Sequence, residues 1–330
     1  MQGDEQLMKK FLKKILILVI SVGICCCLVS LFDTFVIGNQ YEYNYQASLI
    51  DKVERLERIN EPKIILVGTS NLSFGIDSRM IEDAFGMPVV NMGLHGGLGN
   101  AFHEEAAALN INKGDIVIVC HSEYADSGEI INPSLAWITL EKNRELWKIP
   151  RQRDYYPLLK AYPEHILKDF FLWITHTGNI DTGGCYSRSA FNEYGDVVVR
   201  PEYGQMDVKE FFADTKTNNI PVPGVGDACV ERLNEYNKFV TGQGAVLLIA
   251  GYPIAYGEYA SFDENDFVKL KDELQDRLDC EVISDFTDYF YPYEYFYNTA
   301  LHLTEEGARI RTEQLIKDIE RWKVLPLQDN

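Results

Sequence analysis

Apolar positions along this chain fall in short, closed runs. Residues 63–68 (KIILVG), 89–93 (VVNMG), 115–120 (DIVIVC), 245–251 (AVLLIAG) and 281–284 (EVIS) are compact and rich in β-branched side chains. A run without polar alternation is the pattern of a strand buried on both faces. Between these runs, helical stretches occupy 78–85, 99–110, 227–240, 264–278 and 304–322. Strand and helix alternating in this way predicts an α/β fold of three layers, with a parallel sheet of about five strands between helices. Binding residues are then expected at the carboxyl ends of the strands.

Two regions break the alternation. Residues 15–32 (ILILVISVGICCCLVSLF) carry no charge over nearly the thickness of a bilayer, and Asp33 closes the run. Lys9, Lys10, Lys13 and Lys14 stand just before it, which by the positive-inside rule predicts a cytoplasmic segment 1–14. The expectation is a single-pass cell-membrane anchor over 15–37, a tether over 38–62 and an extracytoplasmic domain over 63–330. A cleaved signal peptide is the competing reading, but no small-x-small site follows the apolar run. The second break, 121–225, separates the third and fourth strands and is rich in Tyr, Trp, Pro and Gly. An insertion of this size at the strand ends is expected either to shape a binding face or to serve as a packing lobe.

Charge and cysteine usage narrow the chemistry. Among 330 residues, 31 are basic and 50 acidic, a net of -19, which repels phosphate backbones and argues against nucleic acid as a partner. Cys25, Cys26 and Cys27 lie inside the apolar segment, where they act as small hydrophobes. Cys120, Cys185, Cys229 and Cys280 form no C-x-x-C pair, so no zinc site is expected. They read as free buried thiols, with a Cys185–Cys229 disulfide as the alternative. His103, His165 and His176 lack partners at ligand spacing and read as ordinary residues, so no metal and no other cofactor is expected. The loop GLHGGLGN has neither the G-K-[ST] ending nor the G-x-G-x-x-G spacing of a nucleotide site.

VGTSN after the first run, NMGLHGG after the second and NTALHLTEEGARI before the last helix resemble the first, second and fifth sequence blocks of the SGNH/GDSL hydrolase superfamily. The resemblance covers 63–120 and 245–322 and is nearest to membrane-anchored bacterial envelope members that accompany polysaccharide O-acetylation or teichoic acid D-alanylation. It implies Ser70 as nucleophile, Gly93 as an oxyanion donor through its backbone N–H, and His302 as general base. The residues agree with these roles: Gly68 allows a sharp turn out of the strand, presenting the Ser70 hydroxyl and freeing its N–H. His95 is a further candidate for the pocket wall.

Two family positions depart from the pattern. The acid that orients the histidine stands three residues before it, where this chain has Thr299, preceded by Asn298. The oxyanion-hole asparagine after the third strand is replaced by His121, Ser122 and Glu123. His121 or the Asn71 side chain is the expected substitute donor, and Asp285, Asp288 or Glu294 the expected substitute acid. The function implied is an acyl esterase or O-acyltransferase acting on a cell-envelope glycan or related polymer. The alternative is a non-catalytic accessory protein that partners a multi-spanning membrane acyltransferase.

Overall fold

A computed structural model describes residues 2–201, 224–258 and 262–324. The predicted insertion and domain therefore include positions that lie outside the described residues. Strands β1 (Ile64–Val67), β2 (Val89–Asn91), β3 (Ile116–Val119), β4 (Val246–Ile249) and β6 (Glu281–Val282) form one all-parallel sheet in the order β2-β1-β3-β4-β6. All five correspond to the predicted apolar runs. A further short pair, β5 (Ile254–Ala255) with β7 (Phe290–Tyr291), is also parallel. Ile64 pairs with both Val89 and Ile116, so β1 is an interior strand and the direction of sheet growth reverses between β1 and β3. That switch point opens a crevice beyond the strand ends.

The helices are α1 (Gln2–Phe32), α2 (Ser48–Arg58), α3 (Ser70–Ser73), α4 (Ser78–Phe85), α5 (Asn100–Ala108), α6 (Pro133–Leu140), α7 (Tyr155–Thr175), α8 (Asp227–Gly242), α9 (Glu264–Arg277) and α10 (Glu305–Val324). Alternate strand residues serve opposite faces. Ile65 and Val67 of β1 pack with Leu49 and Val53 of α2, Phe102 of α5, Leu233 of α8 and Leu270 of α9. Ile64 and Leu66 pack with Ile81 of α4 and Leu315 and Ile319 of α10. Helix ends follow local chemistry: the Asp77 carboxylate accepts from Arg79 N (3.1 Å) at the start of α4, and Gly86, at φ 63°, ends it.

Within the span 38–62, read as a tether, α2 buries Leu49, Val53 and Leu56 in the main core. The insertion packs as part of the domain: Ala136, Leu140, Leu146, Leu158, Ala190 and Val197 all join that core. Its aromatics divide between packing and exposure, as in the Trp137–Trp147 ring pair at 4.8 Å. All seven cysteines are free, so the alternative Cys185–Cys229 bridge is absent. At the N-terminus, one helical segment, Glu5–Ile37, is long and apolar enough to cross a membrane and is not buried against the domain.

Candidate active site

β1 delivers Ser70 to the crevice. The strand runs through Gly68 and Thr69 into α3, whose first residue is Ser70. Gly68 is needed for room rather than for an unusual dihedral: its φ is not positive, and a Cβ there would stand 2.9 Å from Leu72 Cδ1 and 3.0 Å from Cys120 O. From the other side, the buried Arg311 of α10 donates to Asn71 O (2.6 Å) and Gly251 O (3.2 Å), tying the last helix to the turn that carries Ser70.

His302, far away in sequence, meets the serine directly. Its Nε2 lies 2.8 Å from Ser70 Oγ, and its Nδ1 lies 2.8 Å from Asn298 Oδ1. Asn298 Nδ2 in turn donates to the Tyr186 hydroxyl at 2.7 Å. In this arrangement the carboxamide oxygen faces the imidazole. Nδ1 must then carry the ring proton, which leaves the Nε2 lone pair to accept from Ser70 O–H. Phe74 stacks on the imidazole with centroids 4.2 Å apart and planes 12° apart, fixing the ring. Burial, with a smaller contribution from His95, pushes the imidazole down to about 3, so His302 is neutral at ordinary pH.

A cavity of about 460 Å³ opens over Ser70 and His302. Thr69, His95, Gly96 and Asn100 line it from the β1 and β2 sides, Ser122, Glu123 and Asp126 from the β3 exit, and Tyr186 from the insertion. His95 is thus a wall residue, with Nδ1 accepting from Gly97 N at 2.9 Å. Gly96 N–H has no partner among the described residues, and neither has Ser70 N–H. The Asn100 carboxamide gives one hydrogen to Glu123 O (3.0 Å) and keeps a second. A larger hollow of about 750 Å³ lies elsewhere, lined by charged residues such as Asp77, Arg79 and Glu305, and holds neither Ser70 nor His302.

Several predicted roles move to other residues. Gly93 N–H donates to Asn91 Oδ1 (2.9 Å), and a Cβ at 93 would stand 2.7 Å from Leu72 Cβ, so this glycine lets β2 approach α3. Asn71 is fully buried, donates from Nδ2 to Cys120 O (3.0 Å) and does not line the cavity. His121 is fully buried beside Glu104 (Nε2 to Oε1, 2.8 Å), which also binds Arg232, and it does not reach the cavity. Asp285 pairs with Lys271 and Arg321, while Asp288 accepts from Gln314 at 3.2 Å; neither meets His302. Glu294 is exposed. Thr299 does not face the ring, because its hydroxyl accepts from the backbone N–H of His302 (3.0 Å) and Leu301 (3.2 Å).

Ser70 and His302 therefore come together as the sequence suggests, while Asn298, Tyr186, Gly96 and Asn100 are added by the fold. The spacing signal for Asn298 is present, four residues before His302, but an uncharged residue there does not announce itself. No family model matches this chain, and no curated protein or solved structure matches it.

Proposed function

We propose that this protein is a membrane-tethered SGNH-like serine esterase or O-acyltransferase acting on an acylated envelope glycan or related polymer. The observation that carries this reading is the relay Ser70 Oγ, His302 Nε2, His302 Nδ1 and Asn298 Oδ1, with both contacts at 2.8 Å. Ser70 Oγ attacks the acyl carbonyl carbon while its proton passes to His302 Nε2. The N–H groups of Ser70 and Gly96 and the spare Asn100 N–H are the donors available to the oxyanion. Collapse expels the alcohol, which takes the proton back from His302, and water or a sugar hydroxyl then attacks the acyl-serine. Glu123 and Asp126 in the cavity favour a neutral or cationic acyl group over an anionic one.

The lysines before the apolar helix support a cytoplasmic N-terminus with the domain outside. Helix α7 supports placement at the membrane surface. It leaves Tyr156, Leu159, Leu167, Phe171 and Ile174 exposed along one side, and Tyr162 Oη bonds Ser30 Oγ at the foot of the apolar helix (2.8 Å).

The second reading, an accessory protein docked on a membrane acyltransferase, draws on the neutral Asn298 in place of a carboxylate, which leaves His302 a weak base. A fluorophosphonate probe on the purified full chain separates the two. Labelling at Ser70, lost in Ser70→Ala, is the expected result; a folded protein that stays unlabelled and turns over no ester supports the accessory role.

A further inference from the structure

The base of the apolar helix meets the insertion at a buried polar cluster that the active site does not use. Glu141 follows the C-terminus of α6, and His165 and Asp169 stand one turn apart on α7. Their side chains are 5%, 4% and 0% exposed. His165 Nε2 lies 3.3 Å from Glu141 Oε2 and 3.5 Å from Asp169 Oδ2, and one ligand atom from each of the three lies within 4.8 Å of the others.

These are poor distances for hydrogen bonds and good ones for the edges of a coordination polyhedron. Bonds of about 2.0–2.2 Å from zinc to nitrogen and oxygen give a tetrahedral edge of about 3.4 Å. Glu141 Oε2 has no partner at hydrogen-bonding geometry among the described residues, and the Asp169 carboxylate, likewise without a well-formed hydrogen bond, is faced by the Tyr41 hydroxyl.

Local charge is short of cations. Asp33, Glu141 and Asp169 bring three negative charges and Lys142 one positive, leaving two negative. Lys142 Nζ directs its hydrogens at Asp33 O (3.0 Å), Asp33 Oδ1 (3.4 Å) and Gly38 O, and stands 3.7 Å from Asp169 Oδ2. A dication closes the balance, with His165 ligating through Nε2.

We propose that Glu141, His165 and Asp169 form a binding site for a first-row divalent cation, zinc in the first instance, that clips the insertion to the base of the membrane helix. The same cluster also receives the backbone N–H of Gln40 on Glu141 Oε1 (3.3 Å), so the cation gathers α6, α7 and the stretch after α1. The rival arrangement is a protonated His165 bridging the two carboxylates without metal.

The test uses the full chain in detergent, stripped with chelator and dialysed against Zn²⁺. One zinc per chain is expected, with an imidazole in its X-ray absorption spectrum and a melting temperature raised by roughly 5 °C over the chelated protein. Asp169→Asn and His165→Gln should each lose the zinc and the shift, while Ser70→Ala keeps both. If a variant does not fold, the chelated and reloaded wild type still decides. No bound zinc and no shift would leave the protonated bridge and overturn the site. Zinc that survives both substitutions, held for example by Cys25–Cys27, overturns it equally.

Discussion

Two buried histidines of this protein stand in opposite surroundings. At His302 both ring nitrogens meet neutral oxygens at 2.8 Å, a hydroxyl on one side and a carboxamide on the other. At His165 a single nitrogen faces two carboxylates at 3.3 and 3.5 Å, with no room for a hydrogen bond to either at good geometry. Short neutral contacts fix a tautomer and leave a lone pair for a proton, which is what a general base needs. Longer contacts to two carboxylates suit a cation or a proton shared among the three side chains. Burial is common to both, so partner charge and distance, not depth, distinguish the two histidines.

Removing the base is the largest expected effect. His302→Ala should slow fluorophosphonate labelling by on the order of a thousandfold or more, since no other side chain among the described residues hydrogen-bonds Ser70 Oγ. Making His302 resemble its counterpart is the sharper experiment. Asn298→Asp places an anion at Nδ1, raising the imidazole's proton affinity and its strength as a base, and the labelling rate at pH 8 should rise by roughly tenfold or more. The pH profiles should differ in a definite direction. In the wild type the imidazole is depressed to about 3, so protonation does not remove the base and labelling stays flat down to about pH 5. In the Asn298→Asp variant the folded pKa rises, so the rate falls as pH drops through the neutral range. Superimposable profiles would mean that Asn298 does not govern the ring.

A smaller effect separates two glycines of the same loop. Gly93→Ala drives a methyl to 2.7 Å from Leu72 Cβ and 2.8 Å from Ser73 N, and should destabilise the fold by about 1–3 kcal/mol in a denaturant titration. At Gly96 the nearest neighbours of a new Cβ are Thr69 carbons at 3.7 Å, so Gly96→Ala should fold normally. Equal stabilities for the two variants would remove the argument that Gly93 is structural and Gly96 faces the cavity.

The sheet and the serine–histidine pair are legible in the sequence for a simple reason. Strands buried on both faces must be continuously apolar, and a nucleophile at a strand end follows directly after one. The polar partners are less legible because they are chosen by turn geometry. Thr299 occupies the expected acid position, yet its hydroxyl caps the turn, and the residue one step earlier reaches the imidazole. Gly93 and Gly96 are three residues apart, and only the packing of β2 against α3 decides which N–H is free. At the other histidine the reading of His165 as a residue without partners does not hold: Asp169 stands four residues on along α7, and Glu141 joins them only through the packing of α6 on α7. The aromatic insertion reads as binding face or packing lobe because it is both: Ala136 and Leu140 enter the core while Tyr186 reaches the cavity.

The smallest predicted effect is at Tyr186, which stands three hydrogen bonds away from the serine. Its hydroxyl accepts from Asn298 Nδ2 in the orientation that turns Oδ1 toward His302, and this bond is one of the two that hold the carboxamide. In Tyr186→Phe the ring remains, so packing against Tyr45 and Phe74 is retained, but the carboxamide loses its outer acceptor. A flipped Asn298 would present N–H to Nδ1, forcing the ring proton onto Nε2 and removing the acceptor that Ser70 needs. Both orientations should be populated, so labelling should fall about three- to tenfold with unchanged thermal stability, and Asn298→Asp, whose two oxygens are equivalent, should suppress the loss. A loss that persists in the Asn298→Asp background would show that Tyr186 acts on the cavity wall and not through the orientation of Asn298.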